Sequence, residues 1–304
     1  MLAFLALDLG VFHRQARVER FPAALFWTLV WFGVALLFAL SIKSFRGPKE
    51  ALEFLTAYLV EASLSFDNVF VITLIFTYFA VPAQHQHRVL FWGILGALLM
   101  RGVLIGAGIA LVTRFSWVLY LFGAFLLYSG VRILVVKEKL DPEKNKIIRL
   151  ARRFCAVSPT LEGPKFTTIW QGRRALTPLA LVLVLVETSD LLFGLDSIPA
   201  VFAVTTKPFI VFTSNIFAVI GLRSLFFVLA GAVRSFRYLK IGLSLVLVFF
   251  GIKMLLDPHE GVPRWFQVQI PVSVSLLAVA GILLISIVLS ITAERRERQM
   301  KQCP

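Results

Sequence analysis

Five carboxylates and two arginines stand inside stretches of this sequence that are otherwise apolar. The segment from Val186 to Thr205 reads VETSDLLFGLDSIPAVFAVT and carries Glu187, Asp190 and Asp196, with a helix breaker at Pro199. An earlier segment, Val60 to Thr73, reads VEASLSFDNVFVIT and carries Glu61 and Asp67. Arg101, in LMRGVL, and Arg223, in LRSLFF, lie downstream of the two segments. A charge left alone at the centre of a bilayer costs about 2.5–3.5 kcal/mol. The acids must therefore turn inward and find partners. Five acids against two arginines leave a formal deficit that a divalent cation or bound protons would fill.

The types of residue narrow the chemistry. Asp67 is followed by Asn68 and Asp196 by Ser197, so each carries a second oxygen donor beside it. Glu61 with Arg101, and Glu187 with Arg223, can equally be ion pairs that hold helices together. The apolar stretches contain no histidine or cysteine; His13, His85, His87 and His259 fall in end segments or loops. Oxygen-only ligation suits Mg²⁺, Ca²⁺ or Mn²⁺ and disfavours Zn²⁺ or Cu⁺. Glu187 and Asp190 share a helix face, whereas Asp196, nine residues beyond Glu187, would point the opposite way on an unbroken helix. Convergence on one ion thus predicts a helix unwound between them, with Gly194 and Pro199 as the means.

These residues must be positioned by membrane-crossing elements. The chain has 304 residues, 59% of them hydrophobic, and a mean hydropathy of +0.85, well beyond the apolar share of soluble domains. Hydropathy predicts eight spanning helices, near residues 21–42, 50–80, 88–112, 116–136, 176–204, 209–232, 236–256 and 268–292. The twelve-residue MLAFLALDLGVF is too short to span. The charged 137–175 segment is expected as an amphipathic or solvated loop. It holds ten lysines and arginines, and placing it in the cytoplasm puts 21 of the chain's 31 basic residues and both termini inside. The net charge of +14 is then a property of loops, and nucleic-acid binding is not expected. Cys155 and Cys303 form no CxxC pair and suggest neither a disulfide framework nor a thiolate metal site.

The two acidic segments also begin a repeat. Both start V-E-x-S and both continue to an Asp followed by a small polar residue. In each, an arginine follows in the next helix, and the third helix ends on matching text, GVRIL at Gly130 and GIKML at Gly251. Each copy holds three spans, and an odd number forces the copies to cross the membrane in opposite directions. This is the inverted-repeat plan of many secondary transporters, with the site at the interface of the copies.

SLSFDNVFVI, ETSDLLFGLDSIPAVFAVT and KPFIVFTSNIFAVIGLRSLFFVLAG resemble the TerC family of integral membrane proteins, named for tellurium resistance and including the Alx proteins, within the lysine exporter superfamily. The similarity covers residues 5 to 256. It implies export of Mn²⁺ from the cytoplasm, with Glu61, Asp67, Asn68, Glu187, Asp190, Asp196 and Ser197 at the metal and Arg101 and Arg223 in support. Asn215, in TSNIF, is a further candidate ligand or supporting residue, without a counterpart in the first copy. The family also carries a full helix before LDLGVF, where this chain has only the short apolar stretch.

The sequence thus reads as an all-α polytopic protein of the cell's inner membrane. Its parts are an N-terminal segment (1–49), a first three-helix repeat (50–136), a basic cytoplasmic loop (137–175), a second repeat (176–256) and a last helix with a basic, cytoplasmic tail (257–304). A divalent-cation exporter, with Mn²⁺ favoured over Mg²⁺ or Ca²⁺ and a proton exchanged for the ion, is the first expectation. A membrane scaffold or metallation partner in tellurite or envelope stress, docking proteins on the 137–175 loop, is the second. The acids offer no nucleophile or base arrangement, so an enzyme is not expected.

Overall fold

Without water to solvate it, a backbone crossing lipid must bond to itself, and helices are how an unclosed chain does so. The computed structural model describes residues 21–135, 158, 163, 165–170, 172–230, 238–257 and 267–302. Its helices are α1 (Phe21–Arg46), α2 (Pro48–Tyr78), α3 (Ala83–Arg114), α4 (Val118–Val135), α5 (Pro178–Phe202), α6 (Pro208–Ala230), α7 (Leu239–Leu256) and α8 (Val272–Gln302). Seven are long and apolar enough to cross a membrane, and α6 has a shorter apolar stretch, Pro208–Leu222. The chain is an all-α polytopic membrane protein. The N-terminal apolar stretch, most of the 137–175 segment, both cysteines, His259 and the side chain of Arg223 lie outside the described residues.

Two expectations change. The first helices of the repeats are not interrupted. α2 is helical from Pro48 to Tyr78, and α5 runs through Gly194 and Pro199 to Phe202. A proline removes one backbone donor, and a packed membrane helix can absorb that loss without unwinding. Second, the 137–175 segment ends in a small antiparallel ribbon, β1 (Thr167–Trp170) paired with β2 (Arg173–Leu176). Its register pairs Ile169 with Arg174 and Trp170 with Arg173. Thr177 ties the ribbon to α5: its hydroxyl accepts from Ala180 N at the helix start and donates to the Lys165 carbonyl.

The helices pair mainly across the two blocks, α2 with α6, α3 with α5 and α4 with α7. Contacts fix their directions. Gly93 meets Val186, Arg101 meets Asp190, and Gly108 meets Ile198 and Phe202, so α3 and α5 run parallel. Asn68 meets Asp190 while Glu53 meets Thr205, just past α5, so α2 and α5 run antiparallel. α4 and α7 are antiparallel too, because Gly123 faces Met254 and Leu255 whereas Gly130 faces Ser244 and Val248. The flanking helices cover the blocks, α1 against α2 and α6, and α8 against α2 and α7. Phe38 of α1 stacks on Phe217 of α6 with ring centroids 4.8 Å apart.

Glycine sets how closely α4 and α7 approach. A Cβ on Gly251 would lie 2.7 Å from the Leu127 backbone nitrogen, and one on Gly130 would lie 2.9 Å from the Ser244 carbonyl oxygen. The Ser244 hydroxyl uses the gap to donate to the Gly130 carbonyl. Backbone cannot move aside as a side-chain tip can. Gly251→Val is therefore expected to cost about 3 kcal/mol or more, read as a loss of monodisperse protein and a lower melting temperature in detergent.

The end of α2 is a Schellman closure with an alanine in it. The Val81 N–H bonds to the Phe76 carbonyl at 2.9 Å and the Ala80 N–H to that of Thr77 at 3.2 Å. This places Ala80 at φ +47°, a left-handed conformation usually left to glycine. Ala80→Gly should relieve about 1 kcal/mol of strain, seen as a raised melting temperature.

Candidate functional site

The charged residues form two sets, and helical geometry explains the division. On an intact helix seven residues return the chain to nearly the same face, while six carry it about 120° away. Glu61 and Asn68 therefore share one face of α2, and Asp190 and Ser197 share one face of α5. Asp67 and Asp196 each sit six residues beyond an acid of the first set and turn away from it.

The first set is centred on Arg101, of which only 3% is exposed. Its Nη1 donates to Glu61 Oε2 at 2.7 Å. Its Nε and Nη2 donate to the two oxygens of Asp190, each at 3.2 Å. Two amides complete the shell. Asn215 Nδ2 donates to the other Glu61 oxygen at 2.8 Å, and Asn68 Nδ2 to Asp190 Oδ1 at 3.0 Å. Four helices, α2, α3, α5 and α6, thus meet at one guanidinium. Its charge cancels one of the two carboxylates and leaves the group formally at −1. Glu187, one turn before Asp190, rests its carboxylate on α3 at Gly96, where any side chain would strike it.

Among the described residues, two buried polar side-chain atoms have no hydrogen-bond partner: Asn68 Oδ1 and Ser197 Oγ. Most buried polar groups are satisfied, so each exception calls for an explanation. Both residues lie on the faces that α2 and α5 use for the first set, and both bare atoms are oxygens, the kind that bind hard cations.

The second set lies toward α4. Ser129 Oγ donates to Asp196 Oδ1 at 2.8 Å. Asp67, half-buried, is within electrostatic range of Asp196 and of Lys240, and Asp196 is within range of Arg132. The sequence leaves open convergence of the acids on one ion or ion pairs such as Glu61 with Arg101. The structure shows that pair, joins Asp190 to it through Arg101, sets Glu187 beside them, and groups Asp67 with Asp196. Among the described residues no three His, Cys, Asp or Glu side chains stand close enough to hold a metal together. The physical reason is the unbroken α5, which keeps Asp196 on a different face from Asp190.

Four contributors escape the sequence pattern. Ser129 sits in an apolar run with nothing to mark it. Gly96 is recognisable only from what faces it. Glu50 and Glu53, in PKEALE at the start of α2, bond with Lys207 just past the end of α5, opposite the ribbon; carboxylates three apart on the first turns of a helix are the signal that could have found them.

Fold and site together define a polytopic helical membrane protein with an ionic centre buried between two three-helix blocks. The chain belongs to the integral membrane protein TerC family, whose pattern matches residues 46–298. It is 52% identical over 296 residues to an uncharacterized membrane protein of Myxococcus xanthus, covering 97% of this chain and 90% of that one. Over 297 residues it is 43% identical to the putative membrane-bound redox modulator Alx of Escherichia coli (strain K12), covering 94% and 90%. An uncharacterized membrane protein of Rickettsia bellii is 40% identical over 280 residues, covering 92% and 93%. No solved structure matches the chain.

Removing one partner of a buried ion pair leaves an uncompensated charge, at about 3–5 kcal/mol. Arg101→Leu should therefore abolish most folded protein, measured as monodisperse yield after extraction. Adding Glu61→Gln and Asp190→Asn should restore much of it.

Proposed function

We propose that the protein exports a divalent cation, most specifically Mn²⁺, from the cytoplasm by alternating access. The observation that carries the reading is the pair of unpartnered buried oxygens, Asn68 Oδ1 and Ser197 Oγ, on the α2 and α5 faces that also bear Glu61 and Asp190. Each lies next in sequence to an aspartate of the second set. On a helix adjacent residues stand about 100° apart, so α2 offers Asp67 and Asn68, and α5 offers Asp196 and Ser197, as oxygen donors on neighbouring faces. These donors suit a hard cation and have little use in a purely structural ion pair.

The pairing of the blocks supports the mechanism. First helix runs antiparallel to first helix and third to third, the relation that two inverted three-helix repeats would have. Rocking one repeat against the other would then expose the site to each side in turn. In the conformation described, Arg101 occupies Glu61 and Asp190, so the cation engages the Asp67 and Asp196 set first. Protonation of the same carboxylates would couple ion exit to proton entry. Basic residues concentrated on the 137–175 side favour an inner-membrane orientation with that loop and the C-terminus in the cytoplasm.

A second reading is a scaffold or metallation partner for proteins docked on the 137–175 loop; the Alx relatives are named putative membrane-bound redox modulators. Transport by the purified chain separates the two. Radiolabelled Mn²⁺ should enter everted vesicles carrying the protein, faster with a pH gradient. Asp67→Ala or Asp196→Ala should lower the rate more than tenfold at equal folded yield. Wild-type rates in both variants would defeat the export reading.

A further inference from the structure

The bundle end opposite the ribbon holds a second ionic group, separate from the Arg101 centre. Glu53, on the second turn of α2, is 4% exposed. Its Oε2 accepts from the Thr205 hydroxyl at 2.9 Å and lies 3.2 Å from Lys207 Nζ. The same ammonium is 3.2 Å from Glu50 Oε1, and Glu50 Oε2 accepts from Arg46 at 3.1 Å. Arg46 in turn sits over the Phe209 ring, 4.4 Å from its centroid. Lys253, a buried lysine of α7, lies within electrostatic range of Glu53 and Asp257. The linker between α5 and α6, in the second block, is thereby tied to the first turns of α2 in the first.

Beneath this group lies an apolar layer. Ala57, Val60, Val201, Phe202 and Phe250 are all buried and belong to one core cluster. Glu61 lies eight residues beyond Glu53, about 12 Å along α2. Ala57 and Val60 lie between Glu53 and Glu61 on α2, and Val201 and Phe202 precede Thr205, so this packing stands between the ionic group and the Arg101 centre. The packing and the ionic group are unequal as barriers. The apolar residues come from three helices, whereas the Lys207 side chain is 42% exposed on a short linker and reaches the buried Glu53 carboxylate. Burial weakens the Lys207 ammonium, but hydrogen bonds from it to Glu50 and Glu53 and their charge outweigh that and raise its pKa. It stays charged at neutral pH.

We propose that Glu50, Glu53, Thr205 and Lys207 form a latch that holds this end of the bundle shut, with the Lys207 ammonium standing where a departing cation would meet Glu53. The latch rests on the export reading for its purpose, but its closure can be measured without transport. Lys207 is a tethered cation: it satisfies a buried carboxylate while no cargo is present, and it leaves by side-chain rotation and a small shift of residues 203–207. A free cation arriving from the centre competes for the same oxygens and so favours opening.

The test uses the full chain with Cys155→Ser and Cys303→Ser, and Val60→Cys as reporter. The protein is reconstituted in liposomes and labelled with a membrane-impermeant maleimide from the side that carries Lys207. With Lys207 present, the reporter thiol should label slowly. Lys207→Gln should speed labelling roughly fivefold, the scale of one partly exposed ion pair, and Lys207→Arg should keep it slow. Equal labelling of the Lys, Gln and Arg proteins overturns the latch. Mn²⁺ flux in the same liposomes tests the export reading separately: absent flux with Lys207 present would overturn that reading, while the labelling still decides whether Lys207 closes this end.

Discussion

The structure turns on how Arg101 is desolvated. A guanidinium 3% exposed in the middle of a helical bundle has lost nearly all its water. Only the fixed oxygens of Glu61 and Asp190 make that tolerable. A buried pair of this kind adds little net stability, since the attraction mostly repays desolvation. What it supplies is register. Arg101 belongs to α3, Glu61 to α2 of the same block and Asp190 to α5 of the other. The fork on Asp190 demands planar geometry, so a slip of either helix by one residue would break two hydrogen bonds at once. Asn215 and Asn68 extend the requirement to α6 and repeat it on α2.

The glycine seam complements this. Lipid gives helices no hydrophobic reason to associate, so close packing and polar contacts must hold them. α4 and α7 meet backbone to backbone at Gly123, Gly130 and Gly251, near enough for Ser244 to reach a carbonyl across the gap. The blocks are therefore joined rigidly along α4 and α7 and by charge along α2, α3 and α5.

Much of this was legible in the residues. Spanning length and hydropathy mark each helix, because lipid leaves the backbone few alternatives. The acids and Arg101 announce themselves by their cost in an apolar run. Their grouping did not follow from spacing, because it depends on whether α5 unwinds at Pro199. In water a proline inside a helix commonly breaks it; in a packed membrane helix it need not, and continuity sends Asp190 and Asp196 to different neighbours. The ribbon was missed for a different reason. TTIWQGRRAL has β-branched residues ahead of a glycine, and Gly172 takes φ +74°, a conformation glycine adopts without strain. Its basic surroundings read as a solvated loop, and strands of four residues give periodicity little to work with.

The two ionic groups share one physical plan. At the centre Arg101 holds Glu61 and Asp190, and at the end Lys207 holds Glu50 and Glu53. In both, a carboxylate from α2 is neutralised by a cation covalently attached to another helix or linker. On the export reading this solves a problem every cation carrier faces. A site anionic enough to take a divalent ion is unstable when empty, because its carboxylates repel one another and have lost their water. Tethered cations stabilise the empty state, and at the Lys207 end an incoming ion need only compete with the tether. The two tethers differ in freedom. Arg101 is a bidentate fork locked on all sides, suited to staying put. Lys207 is a point charge on a flexible stem, half in water, and can leave without breaking a helix contact. The fixed tether therefore belongs with the permanent framework of the bundle, and the mobile one with the end that has to open.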